Sequence, residues 1–222
     1  MTEHNDCWLK DSCSQVDCNK FCLKYFKLDK LYTNALIPLN LRKHIALRCE
    51  EVDADKFELL SGFEHNIMSF VNEGTNLYIH SQRCGNGKTS WALRLVQAYF
   101  NKIWLKSPLE GSRALFINVP RYLLAIKQNI SEKSDYVHHI KQNVLNADIV
   151  VWDEVGSKGL TEYEHENILS LINSRVNDGK SNIYTSNLTK EELHETVGDR
   201  LYSRIINSSV VVELNGLDKR GY

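Results

Sequence analysis

The sequence predicts an α/β protein, a three-layer sandwich in which helices cover both faces of a parallel five-stranded sheet. Three observations predict it. Five short apolar or β-branched runs, at 77–80, 114–118, 149–152, 183–185 and 210–214, alternate with helical stretches. The runs are continuously apolar rather than alternating, as strands buried on both faces must be. The first run passes straight into a glycine-containing loop and a helix, and the third ends in two carboxylates, Asp153 and Glu154.

At 222 residues, 42% hydrophobic and 25% charged, the chain has the composition of a soluble globular protein with one substantial core and a small appendage. A net charge of -1 excludes a global basic field, so nucleic-acid binding would need a local patch or several subunits together. The first six residues are polar and acidic, without the positive and apolar regions of a signal peptide, and no apolar run is long enough to span a bilayer. A cytoplasmic protein with no membrane partner is expected. In that compartment the six cysteines stay reduced.

From the N-terminus, the first element is a cluster of four cysteines, Cys7, Cys13, Cys18 and Cys22. Four thiolates this close can fold a short polar segment around one tetrahedral Zn²⁺, because metal binding supplies folding energy that so small a stretch cannot obtain from burial. Their gaps match neither paired C-x-x-C knuckles nor zinc-ribbon spacing, so an iron–sulfur cluster and plain packing stay open beside zinc. His4 is a spare ligand candidate or a solvated terminal residue. Next, residues 24–32 place Tyr25, Phe26, Leu28, Leu31 and Tyr32 at helical spacing among lysines, a helix for a partner, for nucleic acid, or for packing on the next domain. The expected division is a cysteine-rich, helical domain over 1–70 and the α/β domain over 71–222.

Strand 77–80 runs through Ser81-Gln82-Arg83 into Cys84-Gly85-Asn86-Gly87-Lys88-Thr89-Ser90 and a helix over 89–102. This reads as a phosphate-binding loop. Glycines let successive N–H groups point at a triphosphate, Lys88 brings a mobile charge to the β/γ-phosphates, and the Thr89 hydroxyl can reach Mg²⁺. The usual first glycine is replaced by Gln82. Strand 114–118 and helices over 120–130 and 135–146 follow. Strand 149–152 then delivers Asp153, assigned to Mg²⁺, and Glu154, assigned to the water that attacks the γ-phosphate. After a helix over 162–177, strand 183–185 closes on Ser186-Asn187, where Asn187 can hydrogen-bond the γ-phosphate or the water. A helix over 190–206 precedes the last strand.

With Lys88-Thr89, Asp153-Glu154, Asn187 and the Arg200-Leu201-Tyr202-Ser203-Arg204 segment in this order, the chain resembles a AAA+ P-loop NTPase, and more narrowly the DnaC/DnaI group of replicative helicase loaders, their bacteriophage versions and the related IstB transposition helpers. The likeness covers roughly residues 75–220. It implies an ATPase acting with ATP and Mg²⁺, with Arg204 as an arginine finger toward a neighbouring subunit's γ-phosphate and Arg200 supporting it. It also implies a AAA+ core without a C-terminal lid, since the sequence stops at Tyr222 soon after the last strand. The partners it implies are the replicative DNA helicase, gripped by the N-terminal domain, single-stranded DNA, and further copies of the chain in an ATP-dependent oligomer. By the same likeness Arg121, Tyr122, Tyr136, His138, His139 and Lys141 are candidate DNA contacts, although Tyr122 at helical spacing from Ile126 also reads as core. A transposition helper, and a non-hydrolysing adaptor or helicase inhibitor suggested by Gln82, are the alternatives.

Overall fold

The computed structural model describes residues 7–9, 13, 21–43, 45–129 and 132–217. The five strands are β1 (Asn76–His80), β2 (Ala114–Asn118), β3 (Ile149–Asp153), β4 (Ser181–Ser186) and β5 (Ser209–Glu213), all parallel and ordered β2-β3-β4-β1-β5. The helices are α1 (Leu23–Asn34), α2 (Ala54–His65), α3 (Ile67–Asn72), α4 (Lys88–Ile103), α5 (Val119–Gln128), α6 (Asp135–Asn143), α7 (Glu162–Asn177) and α8 (Lys190–Ile206). Each strand and helix expected of the α/β region is present, with ends shifted by a few residues at most.

Alternate residues of the strands feed two separate cores. Leu77, Ile79, Phe116, Val151 and Ile183 join a cluster with residues of α1, α2, α3 and α4, whereas Tyr78, Leu115, Ile117, Val150, Trp152 and Tyr184 join one with residues of α5, α6, α7 and α8. The period-two pleat therefore separates the helices into two layers. Local chemistry sets the ends: Thr161 and Thr189 open α7 and α8 through capping boxes closed by Glu164 and Glu192. Inside α8, which has the expected bounds, Gly198 takes φ 77° and ψ 164° and breaks the helix into two segments.

The boundary expected at residue 70 does not fall on a gap in packing. Leu28, Leu31, Tyr32, Ala35 and Ile37 share one core with Leu95 and Phe100 of α4, and Tyr32 meets Phe100 edge-on at 5.0 Å. The Ala35 carbonyl accepts the Phe116 N–H at 2.8 Å, covering one donor on the outer edge of β2. Ser112 Oγ donates to the Asn34 carbonyl at 2.7 Å, and Asn34 Nδ2 reaches the Gly111 carbonyl at 2.8 Å. Within the described residues, the helix after the cysteine segment is built into the α/β body.

Candidate functional site

All five residues of β1 are buried, and the chain leaves its carboxyl end through Ser81 into the loop. Gly87, with φ 106°, lets the loop turn into the first residue of α4 without a Cβ clash. The Lys88 ammonium is held by the carbonyls of Arg83 at 2.8 Å and Ser81 at 3.3 Å, and Asn86 anchors the loop by donating to the Leu214 carbonyl at 2.9 Å. Gln82 is exposed and donates to Glu192 Oε1 at 3.4 Å. It points toward the first turn of α8, away from the Gly85–Thr89 turn.

Beside the loop, Asp153 is 5% exposed and its Oδ1 accepts two hydroxyls, from Thr89 at 2.8 Å and from Thr185 at 2.7 Å. Burial raises its carboxyl above the usual range, against the lowering effect of those two hydroxyls. Glu154 is exposed, has the left-handed φ of 62°, donates its N–H to Thr185 Oγ1 at 3.1 Å, and accepts from Asn118 Nδ2 at 3.1 Å through its carboxylate. Residues 84–90, Glu154, Thr185 and Asn187 line one cleft of about 430 Å³, closed on another side by Ala46 and Leu47. The sheet brings together every residue expected of a nucleotide site in this chain except the arginines. It does so at the carboxyl ends of the strands, where open α/β sheets hold ligands.

The donor set fits a nucleotide with its metal. Cys84–Ser90 offers backbone N–H groups and Lys88 a cation for phosphates, and Thr89 with Asp153 offers adjacent hard oxygens for Mg²⁺. When bound, Mg²⁺ would neutralise charge on the phosphate oxygens. Ala46 and Leu47, from the extended segment before α2, add an apolar wall suited to a base.

Arg200 and Arg204 lie elsewhere. Both follow the break at Gly198, near the end of α8, and Ser209 just beyond pairs with Asn76 at the start of β1, the end remote from the loop. A five-residue strand spans roughly 17 Å, so neither arginine reaches its own loop. They line a separate cleft of about 500 Å³ between α7 and α8, where Arg200 pairs with Glu166 at 3.1 Å. Arg204 is exposed, and its side chain has no ion pair or hydrogen bond among the described residues.

The cysteine cluster is only partly described, since Cys18 and His4 lie outside the described residues. Cys22 caps α1, its sulfur accepting the Tyr25 N–H at 3.4 Å, and Cys7 and Cys13 pack half-buried against the core. Among the described residues no group of three or more His, Cys, Asp or Glu is placed to hold a metal. Of the candidate DNA contacts, Tyr122 is fully buried in the core and offers no face for a base. His139 is tied to the Asn34 carbonyl at 2.8 Å, while Arg121 stacks over Tyr136 at 4.5 Å and is exposed. Sequence reasoning missed Asn118 and Thr185. Asn118 was visible as a polar residue closing an apolar strand, and it stands in register with Asp153.

Residues 51–220 match the family described as IstB-like ATP binding protein. The replicative helicase loader DnaC of Escherichia coli strain K12 is 24% identical over 143 residues, which cover 64% of this chain and 52% of that protein. The chain thus spans about half the length of the curated relatives it matches. Among solved structures, the DnaC helicase loader superposes with a TM-score of 0.62 at 23% identity over 76% of this chain and 93% of that one. DnaI gives a TM-score of 0.58 at 16% identity over 76% and 88%. At these identities the structural likeness establishes the shared fold alone, a parallel sheet between two layers of helices. The family match extends over most of the chain and contains the loop, both carboxylates and both arginines, so the chain belongs to the IstB-like ATP-binding protein family.

Proposed function

We propose that this chain is an ATP-dependent helicase loader of DNA replication, which binds the replicative DNA helicase and single-stranded DNA and hydrolyses ATP at interfaces between its own copies. The observation that carries the reading is the placement of the two sets of candidate residues at opposite ends of the sheet. Lys88, Thr89, Asp153, Glu154 and Asn187 gather at the carboxyl end, and the exposed Arg204 stands at the other.

In this reading Lys88 and the loop N–H groups bind the phosphates, and Thr89 with Asp153 holds Mg²⁺. Glu154, released from Asn118, orients the attacking water, and Asn187 hydrogen-bonds the γ-phosphate or that water. Arg204 of a neighbouring copy neutralises the charge that develops, with Arg200 beside it, so hydrolysis depends on assembly. The N-terminal segment up to about residue 70 grips the helicase, with its cysteines holding zinc. Single-stranded DNA runs along α5 and α6, where Arg121, His138 and Lys141 are exposed.

The test is loading of the replicative helicase onto circular single-stranded DNA by the full chain with ATP. Lys88→Ala should abolish loading. Loading at the wild-type rate by that variant would sink the ATP-switch reading. The family match favours one further reading, a transposition helper ATPase, which co-purification of a transposase in place of the helicase would establish. A chain that binds ATP without turnover in wild type and Glu154→Gln, with or without single-stranded DNA, would be the non-hydrolysing adaptor.

A further inference from the structure

We infer that Thr185 is a positioning residue of the nucleotide site, its one hydroxyl fixing both Asp153 and the backbone turn that presents Glu154. The inference rests on the ATPase reading above for its purpose, but its geometry is independent of that reading.

A threonine hydroxyl has one proton to give and lone pairs to receive. The Glu154 N–H can only donate, so Thr185 Oγ1 accepts it, at 3.1 Å, and gives its own proton to Asp153 Oδ1, at 2.7 Å. One oxygen atom thereby links the backbone of the water-side carboxylate to the side chain of the metal-side carboxylate. Thr185 is 1% exposed, so both bonds are made in a largely desolvated place, where leaving the Glu154 N–H without an acceptor is costly. Two further bonds from the same strand end pin the turn: the Val155 N–H donates to the Thr185 carbonyl at 2.9 Å, and Ser186 Oγ donates to the Val155 carbonyl at 2.7 Å.

The turn needs holding. Glu154 has φ 62°, a region that a residue with a Cβ enters only when its surroundings over-determine it. Asn118 restrains the Glu154 carboxylate, but Thr185 restrains its backbone, and the two act from different strands. Thr89, the other hydroxyl on Asp153 Oδ1, is assigned with Asp153 to Mg²⁺ in the reading above, which leaves Thr185 as the donor to Oδ1 that carries no metal role there. The threonine that precedes Ser186-Asn187 therefore joins β4, which leads into Asn187, to Asp153 at the end of β3 and to Glu154 just after it.

The test uses the full chain and three variants, Thr185→Val, Thr185→Ser and Thr185→Cys. The first reading is the Mg²⁺ concentration at which ATP raises the unfolding temperature by half its maximum, measured against the same ATP in EDTA. The second is steady-state ATP turnover. Thr185→Val, which keeps shape and loses the hydroxyl, should move the Mg²⁺ midpoint up by about tenfold and lower kcat by about 10–100-fold. Its stabilisation by ATP in EDTA should match wild type. Thr185→Ser should restore both readings to within about threefold of wild type, and Thr185→Cys, a weaker donor of similar size, should fall between. The inference is overturned by a Thr185→Val chain with the wild-type Mg²⁺ midpoint, or by a Thr185→Ser chain no better than Thr185→Val. The midpoint is read without turnover. Absence of hydrolysis in the wild type would count against the ATPase reading alone, and the comparison of midpoints would still decide the role of Thr185.

Discussion

Glu164 is fully buried and remains a carboxylate, because four donors converge on it. Its Oε1 accepts from Lys158 at 2.8 Å and Lys127 at 3.1 Å, and its Oε2 accepts from the N–H and hydroxyl of Thr161, both at 2.9 Å. Burial alone would raise its pKa, but these bonds win and hold it at about 2, below its ordinary 4.5. A lowered folded pKa gives stability that is complete above pH 4.5 and disappears as pH falls toward 2. Glu164→Gln should therefore cost about 1–3 kcal/mol at pH 7 and flatten the acid limb, as read from urea denaturation across that window. Arg175 is shifted in the same direction, but for a cation a lowered pKa disfavours the charged form. Burial pushes it down to about 10, and it still spends its donors on the carbonyls of Val144, Ala147 and Ser181 and on Asn182 Oδ1. Lysine cannot reproduce that fork, so Arg175→Lys should lower Tm by about 6–12 °C, equivalent to about 3 kcal/mol for a chain of this size. A fall of under 2 °C by calorimetry would falsify the bracket. None of this was legible in the sequence, where a basic residue in the last turn of a helix is ordinary. Its partners come from the end of α6 and the start of β4, which only the tertiary fold brings together.

At the scale of elements, the sequence was most informative where hydrophobic period and punctuation agree. The strand before the phosphate loop, the strand before Asp153-Glu154 and the helices opened by Thr161 and Thr189 all combine an apolar pattern with a start or stop signal. The helix over 190–206 is present with the expected bounds, but the break inside it did not show in the apolar period, although a glycine inside a helical pattern is itself a warning. Gly198 sits where only glycine is comfortable, and it aims the segment that carries Arg200 and Arg204. Gly198→Ala should cost about 1–3 kcal/mol and, by rotating that segment, reduce the protein-concentration-dependent part of ATP turnover more than ATP binding. Titrating turnover against protein concentration checks this. Unchanged concentration dependence in a folded variant would mean that the break has no bearing on Arg204.

For the whole molecule, motif order was legible but strand order was not. Sequence places the loop before the carboxylates and the arginines last. Only the assembled sheet, with β1 between β4 and β5, shows that β1 and β3 present their chemistry at one end while Arg204 waits at the other. That separation makes a specific prediction about mixtures. Lys88→Ala and Arg204→Ala should each lose most turnover alone, and an equimolar mixture should recover a measurable fraction, because some neighbours then combine an intact loop with an intact arginine. A mixture no more active than either variant would place Arg204 outside the site.

The Ala35–Phe116 bond has a practical consequence. Phe116 lies on the edge strand two residues before Asn118, the residue that restrains Glu154, and its amide proton is covered by the carbonyl that follows α1. Deuterium uptake at this single amide is thus a native clock for lifting of the N-terminal helix from the body. A ligand that pries α1 away will accelerate exchange there, and one that seats it more firmly will slow exchange, with no label added to the protein.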